Sequence, residues 1–190
     1  MSDKLVFDIE TKNTFADVGG QENLKDLDVS VVGVYSYASD VYRAYDEHEF
    51  SELAEAFRRA HLIIGFSSKR FDAPILGKYF NFPLSSIAHY DILEAIEKSF
   101  GRRVGLGILA EANLGVGKSA HGLQAIEFYR NGEIQKLKDY CLQDVKITKD
   151  LYELIKKQGF LWVPQRNTSQ MAKVELKFNE PVPPPANLFS

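Results

Sequence analysis

The chain has 190 residues, which fits one domain with a sizeable hydrophobic core. Hydrophobic residues make up 45% of it, and a net charge of −3 excludes a nucleic-acid binder that relies on bulk positive charge. A single cysteine, Cys141, rules out an intramolecular disulfide and a cysteine-built zinc cage. No apolar run reaches the roughly 18 residues of a membrane span, and the first residues lack a signal-peptide core. We therefore expect a soluble cytoplasmic protein.

The first third of the chain alternates between strand and helix patterns. In chain order, the predicted elements are a buried strand within residues 4–12, a polar loop over 11–28, a hairpin formed by 29–37 and 41–45, an amphipathic helix over 49–60, and a short apolar strand at 61–66. Three early strands that are followed by a helix and another strand favour a mixed sheet with helices packed against it.

The remainder of the chain continues the alternation and then changes character near its end. The predicted elements are a helix over 71–80, a short strand at 86–91, a helix after Asp91, a broken glycine-rich segment at 101–122, helices near 121–130 and 133–157, and a hairpin within 161–178. We therefore divide the chain into a main domain at 1–160, a terminal hairpin or extension at 161–180, and a Pro-rich tail at 181–190.

Two acids interrupt the first apolar strand. Asp8 and Glu10 lie two residues apart, so they point to the same face, about 7 Å apart along a strand. Two like charges repel each other there, and burying them is costly unless something positive lies between them. The pattern therefore predicts a bound cation.

Further acids occur where such a sheet would bring them together. Asp72 follows the 61–66 strand at the start of a helix, and Tyr140 and Asp144 share one helix face. Carboxylates of this kind suit Mg²⁺ or Mn²⁺. Taken singly, Asp72 also fits a helix N-cap, Tyr140 an ordinary half-buried aromatic, and Asp144 a solvated charge. Asp91 fits a helix cap fully, and we leave it out of the catalytic set.

Three segments carry a resemblance to a known family. "FDIET", "GFSSKRFDAP" and "YCLQD" resemble, in order and spacing, the three motifs of the DEDD 3′–5′ exonuclease superfamily. The Tyr–x–x–x–Asp form of the last motif is similar to the tyrosine subgroup, DEDDy. The resemblance spans roughly residues 4–156 and implies a ribonuclease H-like α/β fold, with a mixed central sheet between helical layers. Ser67 departs from the family, which usually has Asn there.

The resemblance implies a metal-dependent 3′–5′ exonuclease. Such an enzyme hydrolyses phosphodiester bonds of single-stranded DNA or short RNA and releases nucleoside 5′-monophosphates, with two divalent cations, Mg²⁺ or Mn²⁺. Asp8 would contact both ions, Glu10 and Asp144 would hold the first, and Asp72 the second. Tyr140 would orient the attacking water.

Six further residues are candidate substrate contacts. They are Ser67, Phe71, Arg102, Arg103, Lys118 and His121. Arginine, lysine and histidine suit phosphate contacts, and Phe71, with Phe66, suits stacking on a terminal base. The alternatives are solvated surface charges for the basic residues and core packing for at least one of the two phenylalanines.

Other functions remain open at the level of sequence. A catalytically weak or inactive nucleic-acid-binding module and a structure-specific endonuclease are compatible with the same fold. The sequence does not distinguish DNA from RNA. The tail "PPPANLFS" resembles peptides that bind bacterial sliding clamps, which would make a replication or repair protein a partner; the alternative is a disordered or packed terminus.

Overall fold

The computed structural model of the chain describes residues 2–117 and 122–182. The strands are β1 (Asp3–Thr11), β2 (Val29–Ser36), β3 (Val41–Asp46), β4 (Ala60–Gly65), β5 (Ala88–Asp91), β6 (Phe160–Pro164) and β7 (Met171–Glu175). The α-helices are α1 (Phe50–Arg58), α2 (Asp72–Leu76), α3 (Ile92–Phe100), α4 (Leu106–Leu114), α5 (Gly122–Arg130) and α6 (Ile134–Gln158). Short 3₁₀ helices cover Gln21–Asp26, Glu47–Glu49, Gly77–Tyr79 and Leu84–Ser86. In the described ranges, no helix is long and apolar enough to cross a membrane.

The main sheet has five strands in the order β3-β2-β1-β4-β5. The hairpin of β2 and β3 continues antiparallel onto β1, whereas β4 and β5 run parallel to β1. This arrangement confirms the predicted mixed sheet, and it makes β1 the central strand. Side chains that project from β1 therefore lie in the middle of each face of the sheet.

The two faces of β1 carry different chemistry. Leu5, Phe7 and Ile9 point into a core that includes residues of α1 and α2. Val6 points to the opposite face, into a core formed with α4, α6 and the terminal hairpin. Because side chains alternate along a strand, Asp8 and Glu10 share the face of Val6, on the side where α6 lies. The prediction that the two acids point the same way is confirmed.

Helix α6 approaches the sheet closely at Gly33. This glycine lies opposite Asp8 on β2, and a Cβ atom built on it would lie 2.9 Å from both the Cys141 Sγ and a Val145 methyl. No real Cβ atom sits that close to such neighbours, so the residue must be glycine for the helix to lie where it does. The close approach sets the height of α6 above the acids of β1.

Gly33→Ala is therefore expected to lower both stability and activity. The added methyl group must push α6 away from the sheet, because the interior is packed too tightly to absorb it, at a cost of about 1–3 kcal/mol. Chemical denaturation measures that loss. A matched Gly77→Ala variant, whose Cβ would meet nothing within 4 Å, should stay within about 0.5 kcal/mol of wild type. Equal stability of the two variants would contradict the tight contact.

The segment at 101–122 differs from its prediction. We expected a glycine-rich and broken segment, but α4 occupies Leu106–Leu114. The glycines bracket this helix rather than break it: Gly105 is the N-cap, and Gly115 ends the helix in the left-handed conformation at φ 68°. Likewise, part of the predicted 11–28 loop is the 3₁₀ helix Gln21–Asp26.

The end of the chain folds back on the main sheet. Helix α6 ends at Gly159, and β6 and β7 then form the predicted antiparallel hairpin. Beyond it, Glu180 reaches Lys4 of β1 at 2.7 Å and Lys156 of α6 at 2.9 Å. The division of the chain at residues 160 and 180 stays a prediction. Residues 183–190, on which the sliding-clamp interpretation rests, lie outside the described residues.

Candidate active site

The two acids of β1 form the floor of the candidate site. Glu10 is buried and Asp8 is half-buried, although both carry carboxylates. A carboxylate oxygen of each and the Cys141 Sγ all lie within 4.8 Å of one another. Like charges this close favour a cation between them, as the sequence predicts.

Helix α6 supplies two further members of the site and the cysteine. Tyr140 and Asp144 lie one turn apart and are both buried, Asp144 with 6% of its surface exposed. The interpretation of Asp144 as a solvated helical charge is therefore wrong. Cys141 packs beside Tyr140, as expected, and its sulfur accepts the Gly33 N–H at 3.1 Å. Burial raises the pKa of the Cys141 thiol, and nearby Asp8 and Glu10 raise it further, so this group stays neutral.

Asp72 reaches the site from the opposite direction. It opens α2, and its Oδ1 accepts the backbone N–H of Ile9 at 3.2 Å. That N–H is available because the pairing of β1 with β4 ends at Val6. The N-cap of α2 is Phe71 and not Asp72, so the cap interpretation of Asp72 is wrong. Burial raises the pKa of Asp72 to about 7, although the Ile9 N–H works in the opposite direction.

A cavity of about 500 Å³ joins these groups. Its lining includes all five residues predicted to be catalytic: Asp8, Glu10, Asp72, Tyr140 and Asp144. The predicted contacts Ser67, Phe71 and Arg103 line it too, as does Phe66. The structure therefore brings together residues that are as far apart in the chain as Asp8 and Asp144.

Besides Ile9 of β1, sequence reasoning missed four other residues that line the cavity. They are Phe15, Gln21, Leu24 and Arg70. Phe15 lies against Phe71 with ring centroids 5.9 Å apart. An aromatic residue in a polar loop was the available signal for Phe15. Arg70 lies within the second motif, where its basic character was the signal, and it pairs with Glu97 at 2.8 Å.

The two neighbouring arginines have different positions. Arg103 donates from Nη2 to the Ser67 hydroxyl at 3.0 Å at the edge of the cavity. Arg102 instead donates to the Pro164 carbonyl and lies over the Phe100 ring at 4.8 Å from its centroid. Arg102 does not line this cavity among the described residues, and a substrate contact by Arg102 stays a prediction. Lys118 and His121 lie outside the described residues.

Asp91 caps α3 as expected. Its Oδ1 accepts the Glu94 N–H at 3.1 Å. The carboxylate is almost fully buried and also contacts the loop that precedes α2. Asp91 is not part of the cavity lining among the described residues.

The donor set fits divalent cations. Four carboxylates face one cavity, and carboxylate oxygens are the ligands that Mg²⁺ and Mn²⁺ prefer. The raised pKa of Asp72 marks a buried carboxyl group whose ionised form lacks a compensating positive charge. A bound cation would supply that charge.

A mixed five-stranded sheet with carboxylates converging on its central strand defines an RNase H-like α/β protein. The family model that matches the chain is that of the RNase_H superfamily (RNase_H_2), over residues 5–156, and the chain belongs to this superfamily. Membership supports a nuclease, a hydrolase that binds nucleic acid and uses divalent metal ions as RNase H-like nucleases generally do.

Solved structures support the same fold. The chain is similar to the family B DNA polymerase from the hyperthermophilic archaeon Pyrobaculum calidifontis, with a TM-score of 0.62 and 21% identity over 82% of this chain. The match covers 25% of the polymerase, so the chain spans about a quarter of that protein. At this identity, the likeness speaks for the fold alone. Among curated proteins, none matches the chain.

Proposed function

We propose that the protein is a 3′–5′ exonuclease of the DEDDy type that acts on single-stranded DNA or short RNA. The observation that carries this proposal is the convergence of Asp8, Glu10, Asp72 and Asp144, with Tyr140, on one cavity. The superfamily supports nuclease chemistry. The 3′–5′ direction rests on the resemblance of the three motifs to those of the DEDD exonucleases. Attack of water on the terminal phosphodiester with the 3′-oxygen of the preceding nucleotide as leaving group would release nucleoside 5′-monophosphates.

The four carboxylates would hold two divalent cations. In this proposal Asp8 would contact both ions, with Glu10 and Asp144 on the first and Asp72 on the second. When bound, Mg²⁺ or Mn²⁺ supplies Lewis acidity at the scissile phosphate and makes water a better nucleophile at neutral pH. The residues themselves must be ionised to hold the ions, so Asp72 has to release its proton.

Tyr140 would position the attacking water. Its side chain is buried on the face of α6 that carries Asp144, and it lines the cavity. A phenol is a poor base at neutral pH, since its ordinary pKa is near 10. Its role in the proposal is therefore to orient the water by a hydrogen bond and not to remove the proton alone.

The walls of the cavity suit a nucleotide at a strand end. Arg103 and Arg70 place positive charge at the rim, where Arg103 would bind a phosphate. The paired rings of Phe15 and Phe71 separate this cavity from a second one of about 370 Å³, and both rings line both cavities. Glu10 also lines both. A terminal base that stacks on Phe71 would therefore leave its phosphate beside the carboxylates.

The test is a time course on 5′-labelled single-stranded DNA and RNA of equal sequence. Each is incubated with Mg²⁺, Mn²⁺ or EDTA, beside an Asp8→Ala variant purified in the same way. A metal-dependent ladder that shortens from the 3′ end, absent in the variant, is the expected result. The nucleic acid that is degraded faster, DNA or RNA, identifies the preferred substrate class.

Other outcomes would identify the alternatives. Internal fragments in place of mononucleotides would indicate a structure-specific endonuclease. Intact oligonucleotides in every metal, despite measurable binding, would indicate an inactive binding module. The sliding-clamp hypothesis is tested separately with a peptide of residues 183–190, and the absence of saturable binding to a clamp would reject it.

A further inference from the structure

The loop at 66–71 connects β4 to α2 and forms one wall of the cavity. Phe66, Ser67, Arg70 and Phe71 all line the cavity from this loop. The loop also leads directly into Asp72, the first residue of α2. Its conformation therefore decides where several groups on the substrate side of the site lie.

The conformation of this loop is unusual for its sequence. Ser67 has φ 64°, a left-handed backbone conformation that residues other than glycine and asparagine adopt rarely. Ser68 then turns inward, where it is fully buried and its Oγ lies 2.8 Å from the His89 Nε2. This turn is possible because residue 65 is glycine: a Cβ there would lie 2.3 Å from the Ser68 Oγ. Such a conformation persists only if surrounding groups hold it.

Asp91 is the group that holds the loop. Its Oδ1 accepts the Ser67 N–H at 3.0 Å, and its Oδ2 accepts the Lys69 N–H at 2.9 Å. These two bonds bracket Ser68, so one carboxylate restrains the backbone on both sides of the buried serine. Hydrogen bonds to an ionised carboxylate are stronger than those between neutral groups. His89 lies two residues before Asp91 on the same strand and supports Ser68.

We propose that Asp91, beyond capping α3, is a positioning residue for substrate binding, an inference that rests on the proposed function. The contacts run in sequence from Asp91 to the Ser67 backbone, and from the Ser67 hydroxyl to the Arg103 guanidinium. Asp91 thereby fixes the side of the cavity on which Arg103 meets a phosphate. Asp72 has a separate anchor in the Ile9 N–H, so the carboxylate cluster does not depend on Asp91 alone.

The experiment separates the cap from the loop restraint. Asp91→Ser keeps a good helix cap. Its single short hydroxyl cannot accept the backbone N–H groups of Ser67, Lys69 and Glu94 at the same time. Asp91→Asn keeps the Oδ1 acceptor and replaces the Oδ2 that accepts from Lys69 with a donor group. Ile96→Val is the matched control, since it loses a methyl group from the fully buried side of the same helix without touching the loop.

We measure KM and kcat on a single-stranded oligonucleotide, Mn²⁺ affinity by calorimetry, and Tm. Asp91→Ser is expected to raise KM about tenfold, with Asp91→Asn between it and wild type, because misplaced contacts weaken substrate binding. The kcat of Asp91→Ser should remain within about threefold of wild type, and its Mn²⁺ affinity should change less than its KM does, since Asp72 keeps its anchor in the Ile9 N–H. Ile96→Val should lower Tm without a change in KM.

Two results would overturn the proposal. One is a KM for Asp91→Ser within twofold of wild type, and the other is a KM increase in Ile96→Val equal to that in Asp91→Ser. Failure of the proposed function is a different result, in which the wild-type protein itself shows no metal-dependent cleavage. In that case, binding of the same oligonucleotide in Mn²⁺ is compared among the three variants, and an equal dissociation constant in all of them rejects the role of Asp91.

Discussion

Asp144→Asn is expected to lower kcat by about a thousandfold or more and to leave the fold intact. The amide has nearly the same size and shape as the carboxylate, so the packing of α6 against the sheet is retained. What it lacks is the negative charge, and a neutral amide oxygen is a weaker ligand for Mg²⁺ or Mn²⁺. Transition-state stabilisation by a divalent cation is worth several kcal/mol, which corresponds to about a thousandfold in rate.

The same helix offers a matched control. Asp139 lies five residues earlier on α6, is exposed, and bonds the Gln135 side chain at 2.8 Å. Asp139→Asn makes the same chemical change away from the cavity, and it should keep kcat within about twofold of wild type. Circular dichroism and thermal unfolding verify that both variants fold. If Asp144→Asn retained more than a tenth of the wild-type kcat, the assignment of Asp144 to the metal site would fail.

Two of the candidate acids could be predicted from sequence because they break a strong local pattern, whereas Asp72 and Asp144 were identified only through the order and spacing of the motifs. Asp8 and Glu10 stand inside an apolar strand, where an unpaired charge is costly, and their spacing of two puts them on one face. Asp144 follows Tyr140 by one helical turn, which places both on one side of α6. The order of strands and helices followed from the same periodicities, and the structure confirms the mixed sheet.

The residues that sequence reasoning missed depend on contacts between distant segments. Gly33 carries no signal of its own, and its role appears only because α6 passes within contact distance of β2. Arg102 and Arg103 are adjacent and chemically identical, yet one contacts the terminal hairpin and the other the cavity. No local pattern distinguishes them, because the choice depends on where Pro164 and Ser67 lie after folding.

The structure gives a physical meaning to the serine that occupies position 67 in place of asparagine. The exonuclease family that the motifs resemble usually has Asn at this position, and Ser67 has a left-handed φ of 64°. Asn tolerates that conformation better than Ser does. The backbone therefore gives a reason for Asn that is independent of substrate contact. In this chain, where the residue is Ser, the hydrogen bond that the Ser67 N–H donates to Asp91 stabilises the left-handed conformation.

Asp72→Asn is expected to make the metal-free protein more stable at pH 8. The folded state raises the pKa of Asp72 from 3.8 to about 7, mainly because the group is buried. Between those values, the folded protein holds a proton that the unfolded chain has released. The folded state therefore binds more protons, and the free energy of unfolding decreases as pH rises. The stability that the neutral Asp72 gives the folded state is fully present below pH 3.8 and is lost as the pH rises through about 7.

The amide in Asp72→Asn cannot ionise, so the variant avoids the cost of burying a charged carboxylate. Its oxygen can still accept the Ile9 N–H. A shift of this size corresponds to a stability gain on the order of a few kcal/mol at pH 8, and the gain should vanish near pH 4. Urea unfolding in EDTA at both pH values measures the gain, with Asp139→Asn as the control for the same chemical change at an exposed position. Added Mn²⁺ should then stabilise the wild-type protein more than Asp72→Asn, because the ion supplies the positive charge that the ionised Asp72 lacks. A variant that is no more stable than wild type at pH 8 would contradict the burial of an uncompensated carboxylate, and an equal response to Mn²⁺ would remove Asp72 from the metal site.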